Sequence, residues 1–303
     1  MAGTSPAMTT GPPTDASTAR DRLNGLGPGL AAASSFGISD VLCKVVFSAG
    51  GDVLTLSLIR GVFGLACMAA WLRVGPQPVP HSPRERWIAL GLGVLFSGVI
   101  VGLFGAIATV AVPIAILTYF VYPLLTGLVA TLLGLERIGW RGVVTALVAF
   151  CGLALMIGAH PEHLALAGLG FAIGAACCRT AILLIARATL SHADARVTTW
   201  HSLVSSTAVF VIAALATWNW TPPQTTLGWV ALAGVSIGTA IGTLALFMST
   251  NKIGPFRTAL IMNLEPLLAT ILSAPLLGEL ITPLQAVGGA IMLAALVAFQ
   301  LRR

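Results

Sequence analysis

A few ionisable side chains lie inside stretches of sequence that are otherwise almost wholly apolar. An unpaired charge in the middle of a lipid bilayer costs roughly 3 kcal/mol or more, so each such residue is a candidate for binding a solute or a proton. Glu265 is the strongest candidate, because it lies near the middle of the apolar run 256–277. Its carboxyl group can carry a proton or hold a substrate ammonium group. The alternative is a permanent structural ion pair, with Arg179 as the partner.

Four further charged residues share this setting. Asp40 and Lys44 are one helical turn apart and can neutralise each other, and Arg60 stands at a depth comparable to that of Asp40. The structural alternatives are an Asp40–Arg60 ion pair and a Lys44 side chain that reaches the membrane surface. The functional ones are an external gate and a contact with a substrate carboxylate. Arg179 is either a structural partner of Glu265 or a site for an anionic group.

Uncharged or weakly basic side chains complete the set of candidates. Tyr119 and Tyr122, the only tyrosines, are three residues apart and therefore share a helix face. They can line a cavity or simply pack between helices. Asn263 stands two residues before Glu265 and belongs to a different helix face. His201 lies near one end of its apolar run, either as a hydrogen-bonded structural residue or as a proton relay.

The composition is that of a membrane protein, so transmembrane segments must position these residues. Apolar residues form 57% of the 303 and charged residues 9%, whereas soluble proteins contain about 45–50% and 25%. The count of only 10 acidic residues argues against an active site of several carboxylates. The five cysteines all lie in apolar runs, which argues against disulfides and zinc sites. A serine-hydrolase pattern at 234–238 lies within an apolar run that lacks the required strand-to-helix turn, so we predict no enzyme and no metal.

Apolar runs of helix-spanning length follow one another with short connections. We predict an all-α, polytopic fold of ten transmembrane helices near 26–48, 54–72, 87–107, 112–134, 142–159, 166–188, 197–217, 227–249, 256–277 and 282–300. Residues 1–24 are rich in Ser, Thr, Pro, Gly and Ala and predict a disordered tail. Glycines recur every four residues within three runs, which predicts close helix packing at Gly234, Gly238, Gly242, Gly98, Gly102, Gly170 and Gly174.

The basic residues test this count independently. Thirteen of the 16 Lys and Arg lie in the tails, in the connections that follow even-numbered spans, or at the span ends beside those connections, and the other connections carry none. By the positive-inside rule, both termini are then cytoplasmic. The net charge of +6 is explained by topology rather than by nucleic-acid binding.

An internal repeat divides the ten spans into two sets of five, at 25–160 and 161–303. A shift of 143 residues places Tyr122-Pro123-Leu124-Leu125 on Glu265-Pro266-Leu267-Leu268, and Glu136 on Glu279. A five-helix repeat is odd, so the second copy enters the membrane from the opposite side. Inverted repeats with interrupted helices at matching depths are typical of secondary transporters. Pro123 and Pro266 each lack a backbone donor and disfavour helix at the preceding residue.

The second half also carries a recognisable pattern, consisting of Glu265-Pro266-Leu267-Leu268-Ala269, Gly278-Glu279, Pro283, Gln285 and Gly288. It resembles the signature of the EamA family of the drug/metabolite transporter superfamily. The first half shows a weaker form at Pro123, Glu136 and Gly142, with Arg141-Gly142 where the second half has Leu284-Gln285. Lys44 and Arg60 also resemble positions common in the family. The resemblance spans residues 25–300.

This resemblance implies a ten-helix permease for amino acids, metabolites or drugs. We therefore predict a multi-pass protein of the cytoplasmic membrane that moves small organic solutes by alternating access, as an exporter, with a midplane site between its halves. Protons are the candidate coupling ion. The alternatives are a passive facilitator and, further off, a receptor or assembly subunit without transport. We predict no cofactor and no nucleic-acid partner, and either a monomer or a homodimer.

Overall fold

The computed structural model describes residues 15–158, 165–218, 220–278 and 280–301. Across these residues the chain is helical, with no strand. The helices are α1 Asp15–Ser48, α2 Val53–Val74, α3 Pro83–Ile107, α4 Val112–Tyr119, α5 Tyr122–Leu132, α6 Trp140–Ile157, α7 Leu166–Thr189, α8 Ala195–Thr217, α9 Thr226–Ile253, α10 Pro255–Ile261, α11 Leu264–Leu277 and α12 Pro283–Leu301.

These helices form the ten predicted spans. Helices α4 and α5 together make the fourth span, Val112–Leu132, and α10 and α11 make the ninth, Pro255–Leu277. Within the described ranges nine spans are long and apolar enough to cross a membrane, and the tenth is the shorter apolar helix Pro283–Phe299. The all-α, ten-helix prediction is thus confirmed, and the chain is a multi-pass membrane protein.

The first helix starts earlier than the sequence predicted. We expected a disordered tail over 1–24, but α1 begins at Asp15, and residues 1–14 lie outside the described part. Residues 16–22 contain neither Gly nor Pro, so nothing in them stops the helix from continuing outward beyond the apolar run. The N-terminal face is defined here as the end of the bundle at which α1 begins, and the opposite face as the other end.

Contacts between helices follow the internal repeat. Helix α1 packs along α9, and α3, in the first half, packs along α7. The contact between α1 and α11 has its counterpart in the contact between α7 and α5. The contact between α2 and α9 likewise has its counterpart in the contact between α8 and α3. Exchanging each span for its counterpart five spans later maps this set of contacts onto itself. The two halves are therefore interlocked around a pseudo-two-fold axis.

A mirrored pair of aspartates links the halves at both faces. At the opposite face Asp52 caps α2 and accepts a hydrogen bond from the backbone N–H of Thr221 at 3.1 Å. At the N-terminal face Asp194 caps α8 and accepts one from the N–H of Val79 at 3.3 Å. Asp194 follows Asp52 by 142 residues, and Thr221 follows Val79 by the same 142. The two contacts, named latches below, are therefore repeat equivalents.

Both latch carboxyl groups remain charged at neutral pH. Partial burial raises the pKa of Asp52 and Asp194, but the hydrogen bonds that they accept lower it more, so both pKa values lie below the ordinary one. Arg196 strengthens the second latch, because it pairs with Asp194 at 2.6 Å and donates to the Pro76 carbonyl at 2.8 Å.

The glycine ladders have two different outcomes. Gly234, Gly238 and Gly242 face α1, where an added Cβ would meet Leu42, Ser39 and Phe36 in turn. Gly98 and Gly102 likewise face α7, so the packing prediction is confirmed for α9 and α3. It is wrong for Gly170 and Gly174, because no described atom lies within 4 Å of a Cβ added there. Their face of α7 points away from α3, which is contacted instead by Phe171, Ala175 and Cys178.

We predict opposite effects of the same substitution at Gly102 and Gly174. A Cβ at Gly102 would lie 2.9 Å from the Phe171 carbonyl oxygen. The backbone must shift, so Gly102→Ala should cost about 1–3 kcal/mol through overpacking. Gly174→Ala meets open space and should be neutral or stabilising by up to about 1 kcal/mol through helix propensity. Thermal unfolding of the two purified variants in detergent measures the difference, and equal midpoints would contradict this packing of α3 on α7.

Candidate solute-binding site

Both interrupted spans contain a tight turn rather than an unwound segment. In the fourth span the turn falls at Phe120 and Val121, and in the ninth at Met262 and Asn263. Backbone angles are helical at Val121, Met262 and Asn263, whereas Phe120, at φ −71° and ψ 10°, lies just outside the helical region. Backbone hydrogen bonds to the third preceding residue replace the α-helical bonds to the fourth, as in the 3.0 Å hydrogen bond from the Glu265 N–H to the Met262 carbonyl. The prolines produce a kink by tightening the helix at matching depths. We expected non-helical geometry at Glu265, and the structure instead places this residue in the first turn of α11.

Arg179 stands at the centre of the bundle within an aromatic cage. It projects from α7, is 4% exposed, and has its guanidinium carbon 5.3 Å from the ring centroid of Phe36. The rings of Phe96 and Tyr122 lie 5.8 Å away on other helices. A cation over aromatic faces is stabilised electrostatically, by roughly 2 kcal/mol or more where water is excluded.

The same cage lies on the pseudo-two-fold axis. Arg179 follows Phe36 by 143 residues, and Glu265 follows Tyr122 by 143. A residue can touch its repeat equivalent only close to the axis that exchanges them, and Arg179 touches Phe36. The predicted midplane candidates therefore meet between the two halves.

Glu265 forms a loose ion pair with Arg179. The distance from Nη2 of Arg179 to Oε2 of Glu265 is 3.9 Å, and both side chains are largely buried. At that distance the pair makes no hydrogen bond. Arg179 Nε, Glu265 Oε2 and the Tyr122 hydroxyl are all buried without a hydrogen bond of good geometry, although the Arg179 side chain lies close to the Tyr122 hydroxyl. Three unpartnered polar atoms around one point are unusual in a native core and mark a place where a ligand or water can bind.

The backbone around this cluster is arranged with the same symmetry. Thr180 on α7 donates a hydrogen bond to the Tyr122 carbonyl at 3.3 Å. Gly37 on α1, its repeat equivalent, packs against the Glu265 carbonyl, which a Cβ at Gly37 would approach to 2.8 Å. Each long helix of one half therefore supports the kink of the interrupted span in the other half.

The charged residues of α1 and α2 extend the cluster. The side chain of Asp40 is exposed, and its charge interacts with the charges of Glu265, Arg179 and Arg60. Lys44, one turn along α1, donates to Ser273 of α11 at 3.5 Å. Arg60 is half-buried on α2, and the described residues contain no ion pair between it and Asp40. The Asp40–Arg60 ion pair considered from the sequence is thus not formed at contact distance.

The remaining uncharged candidates divide into two places. Tyr119 is 4% exposed, and its ring centroid lies 5.2 Å from that of Tyr122, so it belongs to the cage. Pro123 is buried at the kink of the fourth span. Asn263 is buried at the kink of the ninth span, where Pro266 also lies. His201 lies apart, near the start of α8. Its ring stacks on His81 of the α2–α3 connection with centroids 5.5 Å apart, and its Nδ1 contacts the Val197 carbonyl at 2.8 Å.

Sequence reasoning missed a hydroxyl-rich cavity beside the cage, named the Arg60 pocket. This cavity of about 40 Å³ lies between α2, α3, α8 and α9. It is lined by Ser57, Arg60, Gly61, Phe96, Ile100, Ser202, Leu203, Ser206, Thr207, Thr239 and Thr243. Serine and threonine are common helix-packing residues in membranes, so their sequence positions carried no signal. A helical-wheel alignment of α2 with α8 and α9 could have grouped them.

The described residues offer no other kind of centre. They contain no cluster of three or more His, Cys, Asp or Glu that could hold a metal ion. Ser236, from the hydrolase-like pattern, is buried in α9 and donates to the Leu232 carbonyl of its own helix at 2.7 Å. Glu279, the predicted counterpart of Glu136, lies outside the described residues.

Comparison with known proteins agrees with this geometry. The sequence profile of the EamA-like transporter family matches residues 24–158 and again residues 166–299. The uncharacterized transporter sll1319 of Synechocystis sp. is 25% identical over 226 residues, which are 72% of this chain and 68% of that protein. A solved structure, described only as the crystal structure of a protein, has a TM-score of 0.78 at 19% identity, covering 91% of this chain and 99% of the other. That likeness shows a shared fold.

We predict that the Tyr122 hydroxyl contributes nothing to the stability of the empty protein. Tyr122→Phe keeps the ring over Arg179 and removes a buried unpartnered hydroxyl, so thermal stability without solute should stay equal or rise by up to about 1 kcal/mol. Tyr122→Ala removes the whole ring and should cost about 3–5 kcal/mol. Unfolding of the two variants in detergent makes the comparison. A clear loss of stability in Tyr122→Phe would show that the hydroxyl already has a partner.

Proposed function

This chain belongs to the EamA-like transporter family and is a membrane transporter, and we propose that it is a secondary carrier that exports small organic solutes by alternating access. The solute site in this proposal is the cage between the halves. Arg179 and Glu265 present one charge of each sign there, so a solute with an amino-acid head group can match both. Tyr119, Tyr122, Asp40 and Asn263 would line the same space.

One observation carries the proposal. Arg179 Nε, Glu265 Oε2 and the Tyr122 hydroxyl are buried together without hydrogen-bond partners. A purely structural ion pair would gain by closing to about 2.8 Å with its valences satisfied. Leaving three groups unsatisfied in a low-dielectric interior is unfavourable until a ligand supplies the missing partners.

The symmetry of the fold supports alternating access. Two equivalent halves can exchange conformations, so a rearrangement at one face has a counterpart at the other. The latches at Asp52 and Asp194 give each face one such contact. Between them the cage on the axis stays within reach of both faces in turn.

Orientation and coupling follow from the charges. We place both termini in the cytoplasm by the distribution of Lys and Arg, with the protein in the cytoplasmic membrane. The N-terminal face is then cytoplasmic. Glu265 is the candidate proton carrier, and a proton gradient would drive export. A passive facilitator needs the same cage without a titrating Glu265, so coupling must be measured; a receptor or assembly role without transport would leave the cage unused.

We predict that Glu265→Gln removes transport or its coupling while the protein still folds. The amide keeps the size of the side chain but cannot carry the proton or the charge. The assay is release of labelled amino acids, and of a second mixture of other metabolites, from preloaded proteoliposomes with and without a pH gradient. Wild-type protein should release one class selectively, and faster with the gradient.

The matched control is Glu136→Gln at the N-terminal face. Glu136 accepts a 2.9 Å hydrogen bond from the Phe256 N–H, and burial raises its pKa above the ordinary value. An amide oxygen can still accept that bond, so this variant should transport normally. Wild-type flux from folded Glu265→Gln would remove Glu265 from the site. Solute release at the same rate with and without the pH gradient would favour a passive facilitator.

We further predict reciprocal effects of the two latches. Asp52→Ala loosens the opposite face and Asp194→Ala the N-terminal face, each with loss of a helix cap worth about 1 kcal/mol. In an alternating-access carrier, loosening one face increases closure of the other. Hydrogen exchange should therefore rise in the connections of the altered face and fall in those of the intact face, with the balance restored in the double variant. A purely local increase would argue against coupled faces.

A further inference from the structure

The Arg60 pocket has a largely apolar wall that contains polar atoms without hydrogen-bond partners. The Oγ of Ser57 and the Oγ1 of Thr207 are buried without hydrogen-bond partners, in side chains that are 2% and 5% exposed. Two other hydroxyls of the wall are satisfied, since Ser202 donates to the Ala89 carbonyl at 3.0 Å and Ser206 bonds Ser97 at 3.0 Å. Two opposed donors on α2 and α8 are therefore left for whatever occupies the cavity.

Arg60 adds a positive charge to this wall. It is half-buried inside a membrane span, and no hydrogen bond or ion pair to it occurs among the described residues. Asp40 attracts it electrostatically from beyond contact distance. A guanidinium has five donors and no acceptor, and its planar fork matches a carboxylate. The pocket thus offers donors from three side chains and no ionised acceptor in its lining.

The pocket adjoins the cage through one aromatic ring. Phe96 lines the pocket and also lies 5.8 Å from the guanidinium carbon of Arg179. Gly61 lets Thr207 of α8 pack closely against α2, because a Cβ at that position would collide with the Thr207 hydroxyl. The cage and the pocket therefore share the Phe96 ring, and a solute that occupied both would pass this ring.

We propose that the Arg60 pocket binds a carboxylate on the side chain of the solute, which makes amino acids with an acidic side chain the preferred substrate class. This inference rests on the proposed function for the position of the head group. The carboxylate would accept hydrogen bonds from Arg60, Ser57 and Thr207. The volume of about 40 Å³ suits a group of this size, since one water needs about 10–15 Å³. A primary amide carries donors of its own and no charge, so it satisfies the pocket less well.

The test compares acidic amino acids with their amides. Aspartate, glutamate, asparagine and glutamine are titrated separately against the purified full chain in detergent, with thermal stabilisation and calorimetry as readouts. Wild-type protein should bind the acids about ten- to hundredfold more tightly than the amides, as expected for charge-assisted hydrogen bonds. Arg60→Gln should reduce this preference to about one while keeping affinity for the amides.

A matched pair of threonine substitutions separates binding from folding. Thr207→Val removes an unpartnered hydroxyl, so it should leave the empty protein equally stable or more stable while weakening aspartate or glutamate binding several-fold. Thr199→Val, also on α8, removes a buried hydroxyl that bonds the Ala195 carbonyl of its own helix at 2.7 Å. That variant should retain the full preference. If Arg60→Gln fails to fold, Arg60→Lys keeps the charge without the fork and should lose most of the preference.

The outcomes also separate this inference from the proposed function. Equal binding of acids and amides, or a preference that survives both Arg60→Gln and Thr207→Val, would overturn the carboxylate assignment even if proteoliposomes transport amino acids. An Arg60-dependent preference in detergent would support the pocket even if no flux is detected, in which case the transport proposal fails alone.

Discussion

The positive charge of Arg179 is the constraint around which the interior of this protein is organised. A guanidinium remains ionised at any depth, so an apolar bundle must surround it with compensating groups. Three aromatic rings, a carboxylate at 3.9 Å and a second acidic residue on α1 do so here. These groups come from four different helices and from both halves. Removing any one of those helices would leave the charge partly uncompensated, which ties the halves together more firmly than apolar packing in lipid could.

The pseudo-two-fold symmetry explains why the two faces resemble one another and why the centre does not. At the two faces, both halves retain the same contact, as the equivalent hydrogen bonds to Asp52 and Asp194 show. On the axis a residue meets its own equivalent, and two identical charges there would repel each other. Arg179 opposite Phe36, and Glu265 opposite Tyr122, avoid that conflict by placing a ring across from each charge. In the proposed transport cycle, the symmetric frame supplies the motion and the asymmetric axis supplies the charges for recognition.

Much of this arrangement was accessible from sequence, for identifiable reasons. Spans follow from length and apolarity alone, and the Pro that follows Tyr122 and Glu265 predicts matching interruptions. The form of the interruption was not predictable, because a proline can unwind a helix or merely tighten it, and packing against Gly37 and Thr180 decides which. The Arg60 pocket was not predicted, although Arg60 itself was a candidate, because its hydroxyls lie on three helices and converge only after packing. Asp52 and Asp194 were present as a 142-residue repeat, but both lie in connections, where a polar residue is ordinary, whereas Pro and Glu are noticeable within spans.

The position of Arg60 illustrates how a carrier can recognise charge without trapping it. A guanidinium closed onto Asp40 would satisfy both groups and leave little affinity for a solute. Held beyond contact distance, Asp40 lowers the cost of burying the cation while leaving its hydrogen-bond donors unused. A solute carboxylate then gains those bonds but competes with a fixed negative charge nearby, which limits how tightly it can be held. Transport requires that balance, because a ligand bound with the full strength of a buried ion pair would leave too slowly to be carried.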